Sequence, residues 1–341
     1  MKNEPAMIAM EERSVVEVLG GVGRYTACVN EPPWSSIAPH VPTPQRVIDA
    51  WVMDIGHLEG LLADEGDCET VVGIGGGSAL DTAKFVAWKC GKRLIQIPSI
   101  TSVDAGFTDA IGVRDAGRVK YIGRIVPAFV VLDVDLVRSA PKRLNRAGIG
   151  DILSCHTGLW DWRYATEHGR GAPWDDAAAA LGRQLLADLE ENVDEIHAVT
   201  RNAVRWLASA YRRIGAACGE LRHSRFEEGS EHFLGYAYEH RTGAHLLHGE
   251  LIAMCVVAMS TLQANAPDWA HSVVARSGVR ANPDDLGISR NDFVGALLDL
   301  REYVERESLD YSIVNAGSID AATALRLWDA VRSLPREAAP L

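Results

Sequence analysis

One stretch limits what this chain can fold into more than any other: T-V-V-G-I-G-G-G-S-A-L-D-T-A-K, from Thr70 to Lys84. Val71, Val72 and Ile74 form a short β-branched run that breaks into Gly75, Gly76 and Gly77. Ser78 then opens a helical segment through Asp81, Lys84 and Trp88. The order is strand, glycine turn, helix. Residues without a Cβ let a phosphate approach the backbone, and the unpaired N–H groups and positive dipole end of the next helix favour an anion there. A nucleotide carrying a pyrophosphate is the natural occupant. The spacing is neither G-x-G-x-x-G nor G-x-x-x-x-G-K-S/T, so a turn without a ligand stands beside that reading.

At 341 residues the chain is long enough for a sizeable core and for two domains. An apolar fraction of 47% and a charged fraction of 23% exclude wholesale disorder. The net charge of -12, with no dense Lys/Arg run, argues against nucleic acid and for a small-molecule partner in a local site. Six scattered cysteines with no C-x-x-C pair read as reduced thiols. The N-terminal M-K-N-E-P-A-M-I-A-M-E-E-R lacks the long apolar core of a signal peptide, and the run from Leu251 to Met259 is too short to span a bilayer. The expectation is a soluble, cytoplasmic protein with no membrane partner.

Ser14 to Leu19 and Tyr25 to Val29 read as two short strands around Gly20-Gly21-Val22-Gly23, and the proline-rich Asn30 to Pro44 reads as loop. Val47, Trp51, Ile55, Leu58 and Leu62 predict a helix over 46–62. Arg93 to Ile97 is a further strand, Val113 to Ile122 a hairpin turning at D-A-G, and Phe129 to Leu132 a last strand. Strands alternating with helices imply a parallel sheet covered by helices, with ligands beyond the strands' carboxyl ends, where the glycine turn and the loop from Pro98 to Asp104 meet. After Pro141 helical periodicity takes over, in segments near 150–166, 174–191, 194–218, 229–240, 250–264, 291–306 and 320–333. The expected division is an α/β dinucleotide-binding domain over 1–140 and an all-helical metal- and substrate-binding domain over 141–341.

Three polar residues on the helical side invite comparison. Asp151 follows Gly148-Ile149-Gly150 at the start of a helix, where an N-cap is the simpler reading. His232 lies in G-S-E-H-F-L and His248 in H-L-L-H-G-E, each readable as a hydrogen-bonded structural histidine. Together, one carboxylate and two imidazoles form a set that binds a divalent ion and leaves a position open, as catalytic metals require. The histidines are sixteen residues apart, so two different helices must supply them.

The ordered series G-G-G-S-A-L-D-T-A-K, P-S-I-T-S-V-D-A-G-F-T-D-A, R-L-N-R-A-G-I-G-D-I-L-S, D-W-R-Y-A, G-S-E-H and L-H-G-E, over residues 70–265, resembles the metal-dependent polyol dehydrogenase superfamily. Within it the likeness is greatest to sn-glycerol-1-phosphate dehydrogenases, with glycerol dehydrogenases and dehydroquinate synthases as cousins. The resemblance implies the dehydroquinate synthase-like, iron-containing alcohol dehydrogenase-like fold. It also implies NAD or NADP as cofactor, a divalent metal, most often zinc, a polyol or polyol phosphate substrate, and a homo-oligomer. Carried over by position, Gly75, Gly76, Gly77, Ser78 and Ala79 line the pyrophosphate, and Ser99, Ser102 and Thr108 contact the cofactor. Asp104 faces the substrate hydroxyls, and Asp151, His232 and His248 hold the metal beside the reacting oxygen. Asp81 and Lys84 belong to the glycine motif and equally fit a solvated polar face.

This chain departs from the pattern in places. Tyr236 stands where the family has a substrate-contacting histidine, four residues after the first metal histidine, with His240 and His245 nearby. Asn30 opens a proline-rich loop where an acidic residue would hold the adenine ribose, which leaves NAD against NADP open. His156 lies about one turn beyond Asp151, with substrate and packing roles both open. Besides the oxidoreductase, two readings stand: a lyase using NAD transiently, although D-S-S-x-G-G-K is replaced here by Asp104-Ala105-Gly106-Phe107-Thr108, and a binding protein that has lost turnover.

Overall fold

The computed structural model of the chain describes residues 7–64 and 67–337, so the first six residues of the stretch weighed as a leader lie outside it. The chain divides into two compact units. One runs to Asn145 and takes in Val199–Glu220; the other comprises Arg146–Ala198 and Leu221–Leu341. Sequence periodicity places a single boundary near 140, whereas the Arg201–Leu221 helix groups with the sheet. There Tyr211 donates from its hydroxyl to the Thr101 carbonyl at 2.9 Å, a pairing across 110 residues that no local pattern announces.

In the first unit, β1 (Met10–Glu11), β2 (Tyr25–Val29), β3 (Arg46–Asp49), β4 (Thr70–Gly75), β5 (Arg93–Pro98) and β8 (Phe129–Val131) form one sheet in the order β1-β8-β5-β4-β2-β3. Every pairing in it is parallel. β6 (Ala110–Asp115) and β7 (Arg118–Arg124) form the expected antiparallel hairpin, turning through Ala116 and Gly117, both at positive φ. The sheet is buried on both faces, as a parallel sheet must be. Val72 and Ile74 of β4 pack with Val15, Leu19 and Val29 on one side, while Val71 packs with Phe85, Leu94 and Ile111 on the other.

Two sequence expectations change here. Ser14 to Leu19 is not a strand: Val15–Leu19 is a helix whose N-cap Ser14 accepts from the Val16 amide. Its buried residues, Val15, Val18 and Leu19, keep the i, i+3, i+4 spacing of one helical face, which outweighs the β preference of valine. Residues 46–62 are not one helix either. Arg46–Asp49 pairs with β2 as an edge strand, and helix begins only at Ile55, capped by Asp54. Trp51 and Val47, two anchors of the expected helical face, are largely exposed. The loop after Asn30 also holds a short helix, Pro33–Ile37.

The second unit is helical: Gly150–Leu153, Cys155–Glu167, Asp176–Ala198, Ser230–Thr242, His248–Gln263, Pro267–Ser277, Arg290–Arg306 and Ala321–Arg332, besides shorter turns. His248–Gln263 is buried from Gly249 through Ser260, which is why its sequence is apolar all round. The Pro267–Ser277 helix was not expected from periodicity. None of the six cysteines is joined in a disulfide. No described helix is long and apolar enough to cross a membrane.

Candidate functional site

The glycine turn closes β4 at the middle of the sheet. Gly75 sits at φ +154°, and a Cβ there would meet Asn30 Oδ1 at 2.5 Å, so only glycine fits. Asn30, at the end of the neighbouring β2, accepts the Gly76 N–H through Oδ1 (3.0 Å) and donates from Nδ2 to Ser78 Oγ (3.1 Å) and the Ala50 carbonyl (3.3 Å). An amide performs both halves of that task, where a carboxylate would only accept. The helix Gly77–Cys90 begins without a side-chain cap, so the first-turn amides of Gly77, Ser78 and Ala79 have no intrahelical acceptor. Such a start favours an anion.

Residues 98–104 come against this turn as expected. The Ser99 N–H donates to the Gly75 carbonyl at 2.9 Å, and Ile100 and Val103 lie within 3.0 Å of where Cβ atoms on Gly76 and Gly77 would be. Ser102 is buried, and Asp104 is half-buried at the start of the single turn Asp104–Phe107. Thr108 Oγ1 accepts from Lys84 Nζ at 3.3 Å. Lys84 is no part of a solvated face: it is fully buried, donates to the Ala110 carbonyl at 2.7 Å and pairs with Asp81 at 3.1 Å. Burial pushes the Asp81 carboxyl up, against the pull of Lys84 and of the Gly112 amide.

In the helical unit, Asp151, His232 and His248 come together, with one ligand atom from each lying within 4.8 Å of the others. Three separate helices supply them: Gly150–Leu153, Ser230–Thr242 and His248–Gln263. Their approach depends on two glycines in contact. A Cβ on Gly150 would stand 2.6 Å from Gly249 Cα, so the backbones just before Asp151 and just after His248 touch directly. His248 Nε2 consequently lies 3.2 Å from Asp151 Oδ1, and the two imidazole centroids are 5.2 Å apart. Asp151 and His232 are buried, whereas the His248 side chain is 36% exposed. The N-cap reading of Asp151 does not hold, because its residue lies inside the helical turn.

Behind the cluster is a layer that sequence reasoning missed. Glu231, fully buried, accepts from His232 Nδ1 (2.9 Å), Thr157 Oγ1 (2.6 Å) and the Gly229 amide (2.6 Å). That bond fixes the ring of His232 and turns Nε2 towards a ligand position, an arrangement common behind metal-bound histidines. Burial acts to lower the His232 pKa, but the Glu231 hydrogen bond and the charges of Glu228, Glu231 and Asp151 outweigh it and raise it to about 9. A neutral imidazole is needed for ligation, so a cation entering here displaces that proton. Asp161, also buried, accepts from the Ser230 amide and the Ile313 amide, each at 2.8 Å, and so caps the His232 helix from a distant segment. Burial and the neighbouring Glu231 push its carboxyl up to about 6. The sequence signals for this layer are the acidic residue directly before His232 and the D-W-R-Y-A motif that Asp161 opens, neither of which states the role.

Tyr236, one turn beyond His232, has its ring 5.9 Å from the imidazole and donates its hydroxyl to Glu228 Oε1 at 2.9 Å. His156 pairs with Asn265 in both directions, ring nitrogen to carbonyl at 2.7 Å and Asn265 amide to the His156 carbonyl at 3.0 Å, and packs on Trp269. That is a packing role. His240 stands against Tyr303, and His245 is exposed.

Comparison with known proteins shows the family. Residues 36–141 match the family described as iron-containing alcohol dehydrogenase. A glycerol-1-phosphate dehydrogenase (NAD(P)+) of Hyperthermus butylicus is 31% identical over 229 residues, 67% of this chain and 65% of that protein. The chain therefore spans just under two thirds of that relative's length. The enzyme of the same name from Sulfolobus acidocaldarius is 30% identical over 246 residues, 72% of this chain and 68% of its own. In fold, the chain is similar to a probable glycerol dehydrogenase from Sinorhizobium meliloti 1021, with TM-score 0.73, 21% identity and coverage of 96% and 98% of the two chains. By these likenesses the chain belongs to the iron-containing alcohol dehydrogenase family.

Proposed function

We propose that the protein is a metal-dependent, NAD(P)-linked oxidoreductase that interconverts a small polyol or polyol phosphate and its carbonyl form. The observation that carries the reading is the convergence of Asp151, His232 and His248 within 4.8 Å, with His232 braced by Glu231. The donor set of one carboxylate and two imidazoles fits a divalent ion, with zinc the metal proposed. When bound, such an ion supplies stabilisation of negative charge on the substrate oxygen, and the dinucleotide supplies the hydride acceptor. Asp151 and His232, both buried, hold the cation from the protein side, and the partly exposed His248 marks the side from which substrate enters.

In the sheet unit, Gly75, Gly76, Gly77, Ser78 and Ala79 are proposed to seat the pyrophosphate, with Ser99, Ser102 and Thr108 beside the cofactor. Asp104 is proposed to bind substrate hydroxyls, and Tyr236 to contact substrate from the helix that carries His232. Cytoplasmic location and a homo-oligomer belong to the same reading. The relatives compared above are named dehydrogenases, which favours net hydride transfer over the lyase alternative. The test is a screen at the reduced-nicotinamide absorbance band with dihydroxyacetone, dihydroxyacetone phosphate and small aldehydes, each with zinc, nickel, iron or manganese and either cofactor. Turnover that disappears in His232→Ala is the expected result. Absence of turnover with every metal, in protein that binds no metal, would refute the reading.

A further inference from the structure

Beside the open side of the metal cluster stands a carboxylate, Glu228, whose side-chain partners among the described residues are hydroxyl groups. Tyr236 and Glu228 are both half-buried, as His248 is, whereas Asp151 and His232 are enclosed. The Tyr236 ring stands 5.9 Å from that of His232, and its hydroxyl is bonded to Glu228 Oε1 at 2.9 Å. The other carboxylate oxygen, Oε2, accepts from Ser224 Oγ at 2.5 Å. Both partners are neutral hydroxyls. Among the described residues no lysine or arginine pairs with this carboxylate. Arg225, in the same loop, directs one end of its guanidinium to the Glu228 main-chain carbonyl (3.3 Å) and the other to the Tyr311 carbonyl (2.8 Å).

A short polyol meets favourable chemistry at such a wall, since a carboxylate and a phenol oxygen both accept from hydroxyl groups. A phosphomonoester dianion meets like charge at Glu228, a carboxylate that no described lysine or arginine pairs with. We propose that Glu228, held in place by Tyr236 and Ser224, sets the charge of the substrate at this site, admitting an uncharged short polyol or its carbonyl form and excluding the phosphorylated one. The proposal rests on the oxidoreductase reading of the same site and narrows its substrate class.

The test uses the full chain loaded with zinc. In kinetics, the wild type is expected to favour dihydroxyacetone over dihydroxyacetone phosphate in kcat/KM by about tenfold or more, and Glu228→Gln to move that ratio towards the phosphate by about tenfold. Calorimetric titration with glycerol 1-phosphate supplies a readout that needs no turnover: Glu228→Gln is expected to bind it about tenfold more tightly than the wild type. Tyr236→Phe keeps the carboxylate charge, so it is expected to keep the exclusion. A wild type that prefers the phosphorylated triose overturns the proposal, as does equal phosphate binding by wild type and Glu228→Gln. A gain in Tyr236→Phe equal to that in Glu228→Gln assigns the effect to the phenol and also overturns it. If neither triose is turned over, the oxidoreductase reading fails, and the calorimetric comparison still decides the role of Glu228. If Glu228→Gln does not fold, the kinetic preference of the wild type decides it.

Discussion

Gly150→Ala probes the geometry on which the metal cluster depends. The added methyl carbon would lie 2.6 Å from Gly249 Cα and 2.7 Å from the Gly249 carbonyl oxygen, both backbone atoms that no rotamer change can move aside. Ordinary contact begins near 3.4 Å, so the two segments must separate by roughly 0.8 Å, and overpacking of this kind costs on the order of 1–3 kcal/mol of stability. The displacement falls next to Asp151 on one side and His248 on the other, whose facing atoms are 3.2 Å apart. Metal–ligand distances tolerate only about 0.2 Å. The expected loss of zinc affinity is therefore about 100-fold or more, or ~2.7 kcal/mol. It is read by competition with a chromogenic chelator, with denaturant unfolding of the same protein reporting fold and stability. A folded Gly150→Ala protein whose zinc affinity stays within twofold of the wild type would refute the claim that backbone contact sets the ligand spacing.

Glu231→Gln retains shape and removes the charge behind His232; the Thr157 hydroxyl can turn to accept from the new amide, so the protein is expected to fold but to bind zinc about 10- to 100-fold more weakly, by the same chelator competition. Lys84→Met strands Asp81 without its cation and is expected to cost about 3 kcal/mol in urea unfolding, part of which returns when Asp81→Asn is added. Asp161 supplies a pH signature. Its carboxyl rises from 3.8 to about 6 in the folded chain, so folding favours the protonated form; that contribution is complete below the unfolded value and is lost as pH rises through about 6. The stability of the wild type relative to Asp161→Asn should accordingly fall by on the order of 3 kcal/mol between about pH 3.5 and pH 7, and a difference that is flat across that range would contradict the assignment.

What the linear chain determined by itself lies where the information is local. Val71 to Ile74 followed by three glycines and Ser78 dictates strand, turn and helix within fifteen residues, and the D-A-G turn between Asp115 and Gly117 dictates a hairpin, because φ preferences and β-branching act on neighbours. Most of the helices after residue 150 follow from periodicity for the same reason, although the break expected at 191–194 falls at 198–201 and periodicity does not announce Pro267–Ser277. Local pattern misread Ser14–Leu19, where a capped helical face outweighs the β preference of valine, and Arg46–Leu62, where pairing with β2 outweighs the apparent helical period. Asp151, His232 and His248 could be nominated from residue type and from the family likeness. Only the tertiary structure brought them within reach of one ion, through contact between Gly150 and Gly249, and only it put Glu231 behind His232, Asp161 at the cap of its helix and Glu228 on Tyr236. Hydrogen bonds and excluded volume act over a few ångströms in space, and between residues as distant in sequence as Gly150 and Gly249, or Asp161 and Ser230, the chain carries no periodic trace of them.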